Sequence, residues 1–64
     1  MEKIIKVEVI EKFMKENGYS KTRFARACKV SPTTFNEVLL GKIKITPLTK
    51  IARVMRVSLF DLIG

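Results

Sequence analysis

Residues 20–41, SKTRFARACKVSPTTFNEVLLG, decide the fold of this 64-residue chain. Ser20 and Ser31 each carry a short hydroxyl that accepts a hydrogen bond from a free backbone N–H at a helix N-terminus. Pro32 follows the second serine, at a position where a helix tolerates a missing N–H. Gly41 is suited to end the second helix. The stretch therefore predicts two short helices separated by a tight turn.

The apolar residues of this stretch recur at helical spacing, and each predicted helix has one apolar face. These positions are Phe24, Ala25, Cys28, Val30, Phe35 and Val38. The small side chain of Ala25 allows the second helix to cross close to the first, and Val30 fills the turn. This is the spacing that a helix-turn-helix needs.

The same residues resemble the phage repressor and Cro-like (XRE-type) helix-turn-helix DNA-binding family, and the resemblance extends from Ile10 to Leu62. It continues through residues 48–52, LTKIA, and through residues 57–62, VSLFDL. The second of these is similar to the "V-S-L-x-D-L" close of many such regulators. The resemblance implies a compact helical domain that binds double-stranded DNA.

Two positions depart from the family pattern. Lys29 lies in the turn where glycine is common, so a residue with a side chain is expected there at positive φ, at a cost of roughly 1 kcal/mol. Leu39 and Leu40 stand where related sequences often carry polar residues, one of which touches the DNA backbone. The second departure removes one phosphate contact that the resemblance would otherwise imply.

Two segments outside the motif alternate apolar with charged residues, which is the pattern of a short strand. In the first, which opens with residues 1–7, MEKIIKV, the apolar residues Ile5, Val7 and Val9 alternate with Lys6 and Glu8; residues 42–45, KIKI, form the second. The N-terminal segment is predicted to be extended, with residues 42–45 as a candidate partner, within the domain or across a dimer. The alternatives are that this segment is an early extension of the first helix, or that it simply folds its isoleucines onto the core.

Helical periodicity covers the rest of the chain. Residues 8–16 predict a first helix with an apolar stripe. Thr46-Pro47 repeats the cap-then-proline start and predicts a fourth helix, and Ser58 caps a last short helix over residues 59–63. The predicted fold class is all-α: a compact four- to five-helix repressor-like domain with a central helix-turn-helix. Residues 1–64 are predicted to form this single domain, with the motif at about 20–41.

The positive charge is concentrated in one part of the chain. Of the net charge of +7, none comes from residues 1–20, in which four lysines balance four glutamates. Residues 21–64 carry nine basic side chains against only Glu37 and Asp61. Such an asymmetry is typical of a nucleic-acid-binding surface, the alternative being a basic surface that only keeps the domain soluble.

Catalysis, metal binding and cofactor binding have little support in the composition. The chain has no histidine and a single cysteine, Cys28, which lies on an apolar face and is expected to be buried. We therefore expect no enzyme, no metal site and no cofactor. The sequence also has no apolar run long enough to span a membrane and no signal-peptide pattern, so a cytoplasmic protein is expected, and the resemblance implies a bacterial or phage origin.

The second helix of such a motif, here about residues 32–40, lies in the major groove of DNA. Its outward residues are Thr33, Thr34, Asn36 and Glu37, and Pro32 is counted with them as a candidate base contact. Asparagine can pair with adenine, glutamate can accept from cytosine N4, and threonine can bond to a base or contact a thymine methyl group. The resemblance implies base contacts mainly from Thr33, Asn36 and Glu37, with Pro32 close to the groove. The alternative for each is an ordinary solvated position.

Phosphate contacts are expected from two groups of residues. Lys21, Thr22 and Arg23 open the first helix of the motif, and Lys42 and Lys44 follow the second. These charges would make affinity for DNA fall steeply with salt.

The sequence thus favours a sequence-specific DNA-binding transcriptional regulator. A homodimer is expected on a two-fold operator, with residues 58–63 or the N-terminal segment as candidate interfaces. The main alternative is a protein-interaction module on the same fold, such as an antirepressor or an antitoxin subunit. General nucleoid-type binding or RNA binding is a third hypothesis.

Overall fold

The computed structural model describes residues 4–64, and all regular elements in this range are helical. In chain order these are α1 (Val7–Glu16), α2 (Lys21–Ala27), α3 (Pro32–Leu39), α4 (Ile45–Met55) and a 3₁₀ helix (Leu59–Asp61). The all-α prediction is confirmed. The first three residues of the predicted N-terminal segment lie outside the described range.

Both predicted serine caps are present at the start of the motif helices. The Ser20 hydroxyl accepts from the Arg23 N–H and the Ser31 hydroxyl accepts from the Thr34 N–H, each at 3.2 Å. Lys29, in the turn between α2 and α3, has φ of 57°, as expected for a position where glycine is common. These local signals set where α2 and α3 begin and how the chain turns between them.

The core is built around the helix-turn-helix. All six predicted apolar positions of the motif are buried. The Phe24 ring lies at the centre, because its centroid is 5.6 Å from both Phe13 of α1 and Phe35 of α3, and 5.1 Å from Tyr19. Ile10, Leu48, Ile51 and Leu62 complete the fully buried set with Val38. One core therefore holds α1, α3 and α4 around α2.

The start of α4 differs from the prediction. Thr46 was expected to cap the helix, but α4 begins at Ile45 with Lys44 at the N-cap position, and no side chain caps it. Pro47 is consequently the third helical residue. Proline is tolerated there because the first four N–H groups of a helix have no partner within the helix.

The extended N-terminal segment is confirmed over residues 4–6, but within the domain its partner is residues 62–64 and not residues 42–45. Ile4 and Gly64 exchange two backbone hydrogen bonds, of 2.9 and 2.8 Å, and Ile5 faces Ile63 in an antiparallel bridge. Residues 42–45 cannot serve as the partner strand because Ile45 already belongs to α4. The alternative expectation, that isoleucine from this segment reaches the core, holds for Ile5, which is buried.

The last helix is shorter than predicted, ending at Asp61 rather than at residue 63. The Asp61 carboxylate accepts from the Ser58 N–H at 2.9 Å, which fixes the start of this turn. Leu62 is fully buried, and Leu59 and Ile63 pack against the core. Phe60 is the large apolar residue of this segment that stays in solvent, with 78% of its surface exposed.

Candidate nucleic-acid interface

Helix α3 has one face in the core and one in solvent. Phe35 and Val38 are buried, whereas Pro32, Thr33 and Asn36 are exposed. The exposed residues lie in the first five positions of α3, and the buried residues hold the helix against α2 and α4. The N-terminal half of α3 is thus a supported surface with hydroxyl and amide groups free to contact a ligand.

Thr34 is less exposed than Pro32, Thr33 and Asn36. It is half-buried, and its hydroxyl oxygen accepts from the Ser31 hydroxyl at 2.8 Å while its backbone N–H donates to the same serine. This pair of bonds ties the Thr34 side chain to the helix cap. Its immediate role is therefore to fix the first turn of α3.

Glu37 lies between two lysines that follow α3. Its Oε1 is 2.9 Å from the Nζ of Lys44, and its Oε2 is 3.1 Å from the Nζ of Lys42. The hydrogen bond from Lys44, followed by that from Lys42, lowers the pKa of the Glu37 carboxyl below its ordinary value. Three side chains that the sequence assigned separately to bases and to phosphates therefore form one ion-pair cluster.

The end of α3 brings this cluster together. Gly41 has φ of 98°, and its N–H donates to the Val38 carbonyl, while the Lys42 N–H donates to the Glu37 carbonyl at 3.1 Å. This is the Schellman arrangement that ends many helices at a glycine. It turns the chain back so that Lys42 lies beside Glu37.

The second predicted group of phosphate-binding residues is accessible. Lys21, Thr22 and Arg23 form the first turn of α2, directly after the Ser20 cap, and all three are exposed. The structure thus leaves these side chains free at one helix end, whereas Lys42 and Lys44 are engaged with Glu37.

Two features of the surface were not predicted from the sequence. Lys29, Lys50 and Arg53 line a cavity of about 270 Å³, with Cys28 at its wall. Helical spacing does not indicate this cluster, because Lys29 and Lys50 are far apart along the chain. Ile43 and Ile45 are exposed beyond α3, together with Leu40 at 73%.

Cys28 is a packing residue. It is 3% exposed, and burial raises the pKa of its thiol to about 11, so the nucleophilic thiolate is scarce at neutral pH. Within residues 4–64, no three acidic, cysteine or histidine side chains lie where they could hold a metal ion. No helix in this range is long and apolar enough to cross a membrane.

The tight turn between α2 and α3, their serine caps and the buried contact between them define a helix-turn-helix protein. A family model described as the Cro/C1-type HTH DNA-binding domain matches residues 9–64. The chain therefore belongs to the Cro/C1-type helix-turn-helix family, whose domains bind DNA in transcription regulation, and the predicted family is confirmed. No curated protein and no solved structure matches the chain.

Proposed function

We propose that this protein is a transcriptional regulator that reads double-stranded DNA by placing α3 in the major groove. The observation that carries the proposal is that the N-terminal half of α3 is exposed while Phe35 and Val38 of the same helix are buried in the core. In this proposal exposed Asn36 bonds to an adenine edge, and exposed Thr33 offers a hydroxyl or a methyl group. Pro32 lies beside them, and Thr34 and Glu37 are the remaining base contacts, less free because of their local bonds.

Phosphate contacts hold the domain in register in this proposal. Lys21, Thr22 and Arg23 contact one stretch of backbone from the start of α2, and Lys42 and Lys44 contact another from the segment after α3. The net charge of +7, all of it from residues 21–64, supports an anionic partner.

We also propose that two copies bind together on a two-fold site. The two candidate interfaces adjoin each other, because residues 4–6 pair with residues 62–64. Phe60 and Ile4 are the large apolar side chains left exposed there, at 78% and 67%. A Phe60→Ser variant is expected to sediment as a monomer at concentrations where the unmodified chain sediments as a dimer.

A protein-interaction module, such as an antirepressor or an antitoxin subunit, is the second candidate. This candidate is favoured by three exposed apolar side chains, those of Leu40, Ile43 and Ile45. Exposed apolar side chains that lie close together are more typical of a protein-binding surface than of a surface that faces DNA. Such a module would be folded and would not bind duplex DNA.

Fluorescence anisotropy with a random-sequence duplex tests these alternatives, at about 50 and about 200 mM salt, where counterion release is large. We expect binding that weakens sharply with salt. In Lys21→Ala/Arg23→Ala the slope of log K against log salt should shrink by about two, because two phosphate contacts are lost.

The matched control is Lys12→Ala/Lys15→Ala on α1, which removes the same charge from a helix with no proposed contact. It should leave the slope nearly unchanged. Absence of binding by the folded protein at the lower salt would contradict DNA binding and favour the interaction module.

A further inference from the structure

The ion-pair cluster of Glu37, Lys42 and Lys44 places an anion within the surface proposed to face DNA. Each carboxylate oxygen is bonded to a different lysine, at 2.9 and 3.1 Å. These are the two salt bridges formed within residues 4–64. Both partner lysines are among the five residues proposed to bind phosphate.

The cluster is accessible to a ligand. The side chains of Lys42 and Lys44 are 61% and 42% exposed, and that of Glu37 is 28% exposed. Glu37 follows Asn36 directly on α3. A duplex that approaches α3 would therefore meet Glu37 beside the bases and the two lysines beside the backbone.

In this state the cluster carries one net positive charge rather than two. The carboxylate neutralises part of the lysine charge, and it also repels any phosphate that approaches the same ammonium groups. Lysine bonds to phosphate and lysine bonds to Glu37 therefore compete. A ligand that donates hydrogen bonds to the Glu37 carboxylate in place of the lysines would release Lys42 and Lys44 together.

We propose that Glu37 acts as a specificity-determining residue by keeping Lys42 and Lys44 from the phosphates of non-cognate DNA. At a non-cognate site no group in the groove donates a hydrogen bond to Glu37, so its carboxylate remains bonded to Lys42 and Lys44. At a cognate site an amino group on the base edge, such as cytosine N4, donates to Glu37, and the lysines move to the phosphates. This inference rests on the proposed function.

The sequence leaves few other groups able to play this part. Residues 21–64 contain only Glu37 and Asp61 as carboxylates, and Asp61 is bonded to the Ser58 N–H in the 3₁₀ helix. Moreover, the Lys42 N–H donates to the Glu37 carbonyl, so the end of α3 itself holds lysine and glutamate together. The backbone at the end of α3 therefore keeps Lys42 beside Glu37, which competes with phosphate for its ammonium group.

Glu37→Gln tests the proposal with a random-sequence duplex. The amide keeps the shape but releases the lysines, so the salt slope should steepen by about two and affinity should rise roughly tenfold or more. Glu11→Gln on α1 is the matched control, because it changes the net charge equally and leaves the cluster intact. Its affinity should change less than about threefold.

A second pair of variants separates release of the lysines from any change in folding. In the Glu37→Gln protein Lys42 and Lys44 are free to contact phosphates, and Lys42→Ala/Lys44→Ala removes both contacts. The same pair of substitutions in the Glu37→Gln protein should abolish the gain. Circular dichroism melts establish that each variant is folded.

Equal salt slopes and affinities for Glu37→Gln and Glu11→Gln would overturn the proposal while leaving DNA binding intact. So would a gain in affinity that persists in Glu37→Gln/Lys42→Ala/Lys44→Ala. Failure of the unmodified protein and of every variant to bind duplex DNA would instead overturn the proposed function, and this inference with it.

Discussion

The Phe35 ring of α3 meets the Phe24 ring of α2 edge to face, with centroids 5.6 Å apart and an angle of 80° between the planes. Both rings are fully buried. Edge-to-face packing is a favourable arrangement of two aromatic rings. This contact fixes the angle between the two motif helices and therefore the direction in which α3 presents Thr33 and Asn36.

Replacing Phe35 by alanine should unfold much of the protein. Loss of a buried phenylalanine typically costs about 3–5 kcal/mol, and a domain of this length has a free energy of unfolding of about 3–10 kcal/mol. Urea denaturation followed by circular dichroism measures the change. Thr33→Ala on the exposed face of α3 should stay within about 0.5 kcal/mol of the unmodified protein. A loss below about 1 kcal/mol for Phe35→Ala would contradict the central role of this contact.

The Ser31 cap should be detectable as a thermal stability effect. Ser31→Ala removes the acceptor for the Thr34 N–H and is expected to cost about 1 kcal/mol, or a decrease of about 4–8 °C in the melting temperature. Ser31→Asn retains a capping oxygen and should melt close to the unmodified protein. Equal losses in the two variants would mean that the hydrogen bond is not what stabilises this helix start.

Lys29 should tolerate glycine better than alanine. Its φ of 57° places it at the position that glycine usually occupies after a helix end, and its N–H and that of Val30 donate to the Arg26 and Ala25 carbonyls. Lys29→Gly and Lys29→Ala remove the same charge, but only glycine adopts this φ without strain. We expect the glycine variant to be more stable by up to about 1 kcal/mol. An alanine variant that melts at the same or a higher temperature would contradict the strain.

Cys28 should react slowly with thiol reagents while the protein is folded. With the pKa raised to about 11 by burial, roughly one thiol in a thousand is ionised at pH 8, and the sulfur is also covered. Labelling with a chromogenic disulfide should be far slower in buffer than in concentrated urea. Raised pKa in the folded state also means that any stability Cys28 contributes is present below about pH 9 and is lost as pH rises towards 11. Rapid labelling in buffer at pH 8 would show that the thiol is not buried.

The parts of the fold that depend on neighbouring residues could be predicted from the sequence. Ser20 and Ser31 cap their helices through bonds to residues three positions away, and Phe24, Phe35 and Val38 follow helical periodicity. The start of α4 was missed because proline fits any of the first helical positions, so Pro47 did not fix the boundary. The Thr46-Pro47 signal for the start of α4 is local, but it fits more than one helix boundary.

The parts that depend on distant residues could not be predicted. Ile4 and Gly64 lie at opposite ends of the chain, and alternation alone does not identify the partner of an extended segment. The bonds from Lys42 and Lys44 to Glu37 cross a helix end, where helical spacing no longer says which residues meet. The sequence shows which residue types lie at the candidate interface. Which of them bond to one another depends on the path of the chain after Gly41.

Reading of bases by α3 is the central claim, and selection from a randomised duplex library followed by affinity measurements with Asn36→Ala tests it most directly. We expect the unmodified protein to enrich a defined sequence. Asn36→Ala should bind that duplex with a loss of about 1–3 kcal/mol and bind a random duplex as before, because the substitution changes no charge. Enrichment of no sequence, or equal binding of the selected duplex by Asn36→Ala and the unmodified protein, would contradict the placement of Asn36 against the bases.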